Sequence, residues 1–184
     1  MQMDEMTVTD PVLILREIEE ACRVCNTTDL QQSAETFSEW SGIAFRVGNN
    51  SLLAPLDEVV EILDMPKLAR VPLAQSWVRG IANIRGKLLP VVDFSGFLSD
   101  EMTSAGEKSR VLVIDYNGIY SGLVVDEVYG LKHFMESEYT DAKPEVDEFL
   151  LPYIRAGYRR DGKVWREFSL FALADTPKFM IAAV

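Results

Sequence analysis

The stretch RVLVIDYNGIYSGLVV, Arg110 to Val125, decides the fold class. Two apolar runs rich in β-branched residues flank Asn117 and Gly118. An Asn-Gly pair between such runs is the strongest short signal for a two-residue hairpin, because both turn positions need positive φ. The same grammar recurs outward from this point, beginning at Trp40. Ile43 to Val47 leads through Gly48, Asn49 and Asn50 into Ser51 to Pro55; Ile81 to Ile84 turns at Arg85 and Gly86 into Lys87 to Val92; Tyr153 to Arg160 turns at Asp161 and Gly162 into Val164 to Phe168. Asp57 to Leu63 reads as a short helix. Short strands at hairpin spacing with little long helix predict a mainly β chain, a barrel or sandwich rather than alternating βαβ units.

Upstream of the β-rich part, Asp10 followed by Pro11 is a helix start: the Asp side chain accepts from free N–H groups, and Pro at the first helical position gives up none that mattered. A helix is expected to about Cys25, with Ile14, Leu15, Ile18, Ala21, Cys22 and Cys25 on one arc. It would dock by that face, either covering a barrel edge or supplying a contact of its own. The polar, aperiodic residues up to 39 read as a linker. The organisation expected is therefore an extension over 1–39, a β domain over 40–176 and a tail over 177–184.

The 184 residues carry 18 basic and 29 acidic side chains, a net charge of -11, so nucleic acid would have to be gripped against the overall field. The start of the chain lacks a basic n-region and an apolar h-region, and no apolar run reaches the roughly 20 residues a bilayer span needs. A cytoplasmic protein without direct membrane insertion is expected, and the sequons at Asn26 and Asn49 are discounted accordingly.

The two halves of the β-rich part rhyme. An apolar strand runs into Asp57, Glu58 and Val59, and later Gly122 to Val125 runs into Asp126, Glu127 and Val128. Gly86 and Lys87 open a strand reaching Phe94 and Ser95, then Phe97 and Leu98. Gly162 and Lys163 open one reaching Phe168 and Ser169, then Phe171 and Leu173. Two similar subdomains packed together are expected, with a groove between them as a binding surface.

Catalytic chemistry finds little purchase. Gly80 to Lys87, GIANIRGK, fails as a phosphate loop: five residues separate its glycines, and Leu88 stands where Ser or Thr should hold magnesium. The acidic pairs Asp57-Glu58 and Asp126-Glu127 read as helix-start caps rather than as an acid and base. His133 is the single histidine, without a Gly-x-Ser-x-Gly elbow to serve. Cys22 and Cys25 have redox or zinc spacing but no second cysteine pair, so they read as helix-face hydrophobes. No cofactor, metal or catalytic residue is expected.

Val71 to Leu98, VPLAQSWVRGIANIRGKLLPVVDFSGFL, resembles the signature of CheW-like domains: a Pro, Trp-Val, Gly-Ile, an Asn-x-Arg-Gly turn and a strand ending Pro-Val-x-Asp. DEVVEIL, Asp57 to Leu63, and GLVVDEVYGL, Gly122 to Leu131, resemble the signatures of the family's two halves. The match spans roughly Gly42 to Leu173. The helical extension and Phe94, where many members have Leu, depart from it; the extension is similar to the PilI branch, which serves type IV pili and twitching motility.

The resemblance implies two SH3-like five-stranded β-barrels packed together, with an N-terminal helix and a few short helices. It implies a non-catalytic adaptor between the cytoplasmic tip of a methyl-accepting chemoreceptor and the regulatory domain of a CheA-like histidine kinase, recruited to the inner membrane through receptor arrays. The receptor-binding positions that match are Val59, Glu61, Ile62, Asn83, Arg85 and Gly86, in a groove between the subdomains. Arg85 either pairs with Glu61 to shape that groove or points outward to the receptor. Kinase docking would use barrel ends, with Asn117-Gly118 and the segments beside Gly80 and Gly130 as candidates. A small-molecule-binding β-barrel and a generic SH3-like peptide module remain as alternative readings.

Overall fold

A computed structural model describes residues 39–103, 106–141 and 146–181. The helix expected over Asp10 to Cys25, with both cysteines, lies outside the described residues. The strands are β1 (Glu39–Val47), β2 (Asn50–Pro55), β3 (Glu61–Asp64), β4 (Val78–Ile84), β5 (Lys87–Asp93), β6 (Arg110–Tyr116), β7 (Ile119–Val125), β8 (Glu127–Met135), β9 (Ile154–Arg160) and β10 (Lys163–Phe168). Short helices α1 (Phe94–Ser99), α2 (Leu170–Ala174) and α3 (Pro177–Met180) follow β5 and β10.

Three of the hairpin turns are tight for the reason the sequence suggests. Arg85-Gly86, Asn117-Gly118 and Asp161-Gly162 all sit at positive φ, the conformation that matches the right-handed strand twist. Gly80 answers to a different demand. Its φ is 145°, and a Cβ there would lie 2.5 Å from the Ala69 carbonyl oxygen, so the glycine admits the backbone that pairs Ala69 with Ile81. It is buried beneath that segment, while its neighbours Arg79 and Ile81 are partly exposed.

The repeat is real, but its halves are not the barrels. Each repeat contributes five strands, β1–β5 and β6–β10, and the sheets exchange them. Barrel 1 has the order β3-β6-β7-β5-β4 and barrel 2 the order β8-β1-β2-β10-β9. The first two strands of each repeat therefore complete the barrel of the other. Parallel pairs close the exchange in both: Val91, Val92 and Asp93 on β5 against Gly122 to Val124 on β7, and Arg166 and Glu167 on β10 against Leu52 and Leu53 on β2. Single bridges, Ala69 with Ile81 and Tyr139 with Tyr158, draw the sheet edges together.

Exchange explains why β1, β2, β6 and β7 read as nearly continuous apolar runs: they are buried on both faces. Ile43, Phe45, Leu52, Ala54, Leu112, Ile114, Leu123 and Val125 form a layer shared by the two barrels. Their sequence neighbours point the other way, Val111, Val113 and Val124 into barrel 1 and Ala44 and Leu53 into barrel 2. The shared layer continues to the C-terminal end, where Phe179 of α3 is buried beside Trp77 and Phe97, with ring centroids 6.4 and 5.3 Å away.

Two elements depart from expectation. Asp57 to Leu63 is not a helix; Leu56–Glu58 is a single 3-10 turn and Glu61–Asp64 is the edge strand β3. The run VVEIL carries β-branched residues at alternate spacing, and the free edge of β6 offers it ladder bonds, beginning with Val60 N–H to the Val113 carbonyl at 2.8 Å. The acidic pairs also do not cap helices of their own. Glu58 caps α2 from across the chain, whereas Asp126 accepts from Gly48 N–H at 2.6 Å and ties the β7–β8 connection to the β1–β2 turn.

Candidate partner-binding site

The positions singled out in the sequence fall into two groups around β3. Glu61 lies opposite Val113, which points into barrel 1, and Ile62 lies opposite Leu112, which points into the shared layer. Cross-strand partners share a face. Glu61 therefore stands on the barrel side of β3 and Ile62 on the inter-barrel side, where it remains 38% exposed at the sheet edge. Val60 is exposed beside it, and Val59 is partly buried against the shared layer.

On the barrel side the β4–β5 turn meets β3. Arg85 Nη2 donates to Glu61 Oε1 at 2.6 Å, while Asn83 Oδ1 accepts from Gly86 N–H at 2.8 Å and fixes the turn. The ion pair thus joins two elements of one barrel rather than spanning the two subdomains, which corrects the expected groove geometry. Pairing and display coexist: the Arg85 side chain is 81% exposed even while it holds Glu61, so pairing leaves most of the guanidinium surface open. An exposed pair of this kind contributes only about 0–1 kcal/mol, so it sets shape and charge more than stability.

A cavity of about 430 Å³ does lie between the barrels, lined by Asn50, Met102, Thr103, Asp126, Asp147 and Phe149 among others. None of the six predicted residues borders it. Several of its polar groups are engaged internally, Asn50 Nδ2 donating to Asp147 at 2.6 Å and Asp126 holding the Gly48 amide and Arg46.

Two carboxylates, Asp93 and Glu58, organise the ends of the barrels. Asp93, fully buried at the N-cap of α1, accepts from Gly96 N–H, Thr103 N–H, the Thr103 hydroxyl and Arg79. Arg79 also donates to the Thr103 carbonyl. Glu58, 2% exposed, accepts from Leu170 N–H at 2.5 Å, Phe171 N–H at 3.1 Å, the Ser169 hydroxyl and Arg155 at 2.9 Å. Asp93 has a local N-cap partner in Gly96, whereas Arg79 and Thr103 and all the donors to Glu58 lie farther away in the sequence.

The lone histidine does find a serine: Ser41 Oγ and His133 Nδ1 are 2.8 Å apart. Glu39 approaches the same ring nitrogen at 3.4 Å, so it cannot orient the imidazole from its far side as a relay would require. Among the described residues no group of three or more His, Cys, Asp or Glu side chains could hold a metal ion, and no helix is long and apolar enough to cross a membrane.

Two strand-exchanged SH3-like barrels around a shared apolar layer, presenting edges and turns, define a protein-binding module. The CheW-like domain model matches residues 41–178, and the chain belongs to that family. It is 37% identical to Protein PilI of Pseudomonas aeruginosa over 177 residues, 96% of this chain and 98% of that one. It is 33% identical to Protein FrzA of Myxococcus xanthus over 104 residues, 56% of this chain and 65% of that protein. The crystal structure of the scaffolding protein TtCheW from Thermoanaerobacter tengcongensis superposes with a TM-score of 0.63 at 19% identity, covering 76% of this chain and 94% of that one. The protein is a non-catalytic chemosensory adaptor of this family.

Proposed function

We propose that this adaptor couples the cytoplasmic tip of a methyl-accepting chemoreceptor to the regulatory domain of a CheA-like histidine kinase, and that the output is type IV pilus twitching motility. The last point rests on the likeness to Protein PilI along nearly the whole of both chains. In this reading the protein is cytoplasmic and reaches the inner membrane only through receptor arrays.

The observation that carries the receptor assignment is the β3 edge. Val60 and Ile62 are exposed on one face and the Arg85–Glu61 pair on the other, so a helix laid along the edge meets an apolar strip bordered by a displayed guanidinium. Apolar anchors with a few charged contacts are what a helix-in-groove interface needs. Val59 supports the strip from beneath, while Asn83 and Gly86 set the turn that presents Arg85.

Calorimetric titration with the regulatory domain of the CheA-like kinase from the same genome, at two salt concentrations, tests the coupling. Saturable binding is expected, and no binding to any such domain would overturn it. Arg85→Ala should weaken capture by the receptor tip while leaving the thermal midpoint nearly unchanged. Wild-type capture by that variant, or its unfolding, would remove Arg85 from the site.

A further inference from the structure

Barrel 2 carries a second feature away from the β3 edge, bordering the Gly130 segment that was expected to serve kinase docking. Trp165 belongs to the inner cluster of barrel 2 and is 8% exposed. Two lysines cover its ring, Lys163 Nζ at 4.1 Å and Lys132 Nζ at 4.9 Å from the centroid. Tyr129, 40% exposed, stands edge-on to the same ring at 5.8 Å and lies 5.4 Å from the Lys163 ammonium. Among the described residues neither ammonium has a carboxylate within 4.0 Å, although Asp161 stands in the turn preceding Lys163. Among the described residues these two cations therefore keep their charge unpaired in a chain of net charge -11.

Barrel 1 provides an internal control. Lys87 follows its turn glycine as Lys163 follows Gly162, and Lys87 also sits over an aromatic ring, 3.5 Å from the Tyr120 centroid. Lys87, however, is paired with Asp115 at 3.5 Å. The repeat thus places a lysine on an aromatic face twice and neutralises it once.

We propose that the Lys132, Lys163, Tyr129 and Trp165 patch docks an acidic polypeptide segment of a partner protein. Cation–π contact holds the ammonium groups over the ring and leaves their remaining donors free for carboxylates. The exposed Tyr129 ring supplies apolar contact beside them. A polypeptide fits better than an anionic membrane, because an extended negative surface would repel the rest of this acidic chain. The proposal rests on the adaptor reading only in supposing a protein partner.

The test is titration of the isotopically labelled full chain with a synthetic peptide of alternating Glu and Leu, followed by NMR, with the Gln-for-Glu peptide as control. The Trp165 indole N–H and the amides of Tyr129, Lys132 and Lys163 should shift, and added salt should weaken binding. Lys132→Ala with Lys163→Ala should lower affinity about tenfold, and the Arg replacements should retain it. Equal binding of the Gln peptide, shifts elsewhere, unchanged affinity of a folded double-Ala variant, or preferential binding to phosphatidylserine vesicles would each overturn the proposal. The kinase regulatory domain is titrated in parallel. If the chain binds that domain but ignores the acidic peptide, this inference alone fails; if it binds the peptide at the patch but no kinase domain, the coupling proposal alone fails.

Discussion

The two barrels share a strand order under exchange of the repeats, yet they place negative charge at their helix N-termini by different routes. In barrel 1 the N-cap of α1 is Asp93, held by Arg79 at the second position of β4. In barrel 2 the N-cap of α2 is Ser169, and Arg155 at the second position of β9 reaches a carboxylate brought in by the other repeat, Glu58. Counting from Lys87 and Lys163, Asp93 and Ser169 occupy equivalent places, which moves the sequence frame that set Phe94 against Phe168. The repeat constrains where a helix begins, while the charge that its free N–H groups require can come from any segment the fold brings there.

Asp93→Ala should be the most damaging single change within this comparison. It leaves the Arg79 guanidinium and the Thr103 amide without their buried acceptor, at a cost of about 3–5 kcal/mol in urea unfolding. Glu58→Ala should cost less, about 2–3 kcal/mol, because Arg155 is half exposed and can recover water. Equal losses would mean that the local and imported carboxylates do the same work, and that the two helix N-termini do not differ in what holds them.

Ser169→Asp in a Glu58→Gln background sharpens the point. A carboxylate placed as in barrel 1 should restore about 1 kcal/mol, whereas the same substitution with Glu58 present should destabilise by crowding two charges. No recovery in the double variant would show that the reach of Glu58, not its charge, is what α2 needs.

Acid titration separates two further carboxylates of barrel 2. The Arg160 guanidinium, helped by the Met135 N–H, lowers Glu138 to about 2, so its contribution is present above the ordinary carboxylate range and is lost as pH falls towards 2. Burial raises Glu167 despite Arg155, so its charged form opposes folding at neutral pH and that penalty fades as pH falls through its raised value. Glu138→Gln should flatten the acid limb of the stability curve, and Glu167→Gln should lift stability at neutral pH and leave the acid limb intact. The smallest change is expected for Arg85→Ala, under about 1 kcal/mol, which is why its effect is to be sought in binding.

The hairpins were legible because their signals are local: Asn117-Gly118 and Asp161-Gly162 carry their own backbone preference. β3 and β8 were not. Val59 to Leu63 satisfies a helix and a strand pattern equally well over so short a run. β8 interleaves Glu127, Gly130, Lys132 and His133 among its apolar residues because, as an edge, it keeps one face partly wet. Of the candidate site, the Asn83–Gly86 turn and the Arg85–Glu61 partnership were open to sequence reading through the family's motifs. The opposite orientation of Glu61 and Ile62 was not, since it depends on the register of β3 against β6.

The hairpins, the doubled motif order and the family are written in the sequence, since each rests on residues near one another or on a motif's fixed spacing. Strand exchange between the repeats, the service of Glu58 to a helix of the other repeat, and the lack, among the described residues, of an acid at Lys163 like the one Lys87 has, emerge only in three dimensions. Those outcomes depend on which distant segments become neighbours, and burial is what turns such neighbours into energy: a carboxylate out of water must find donors wherever the fold has placed them.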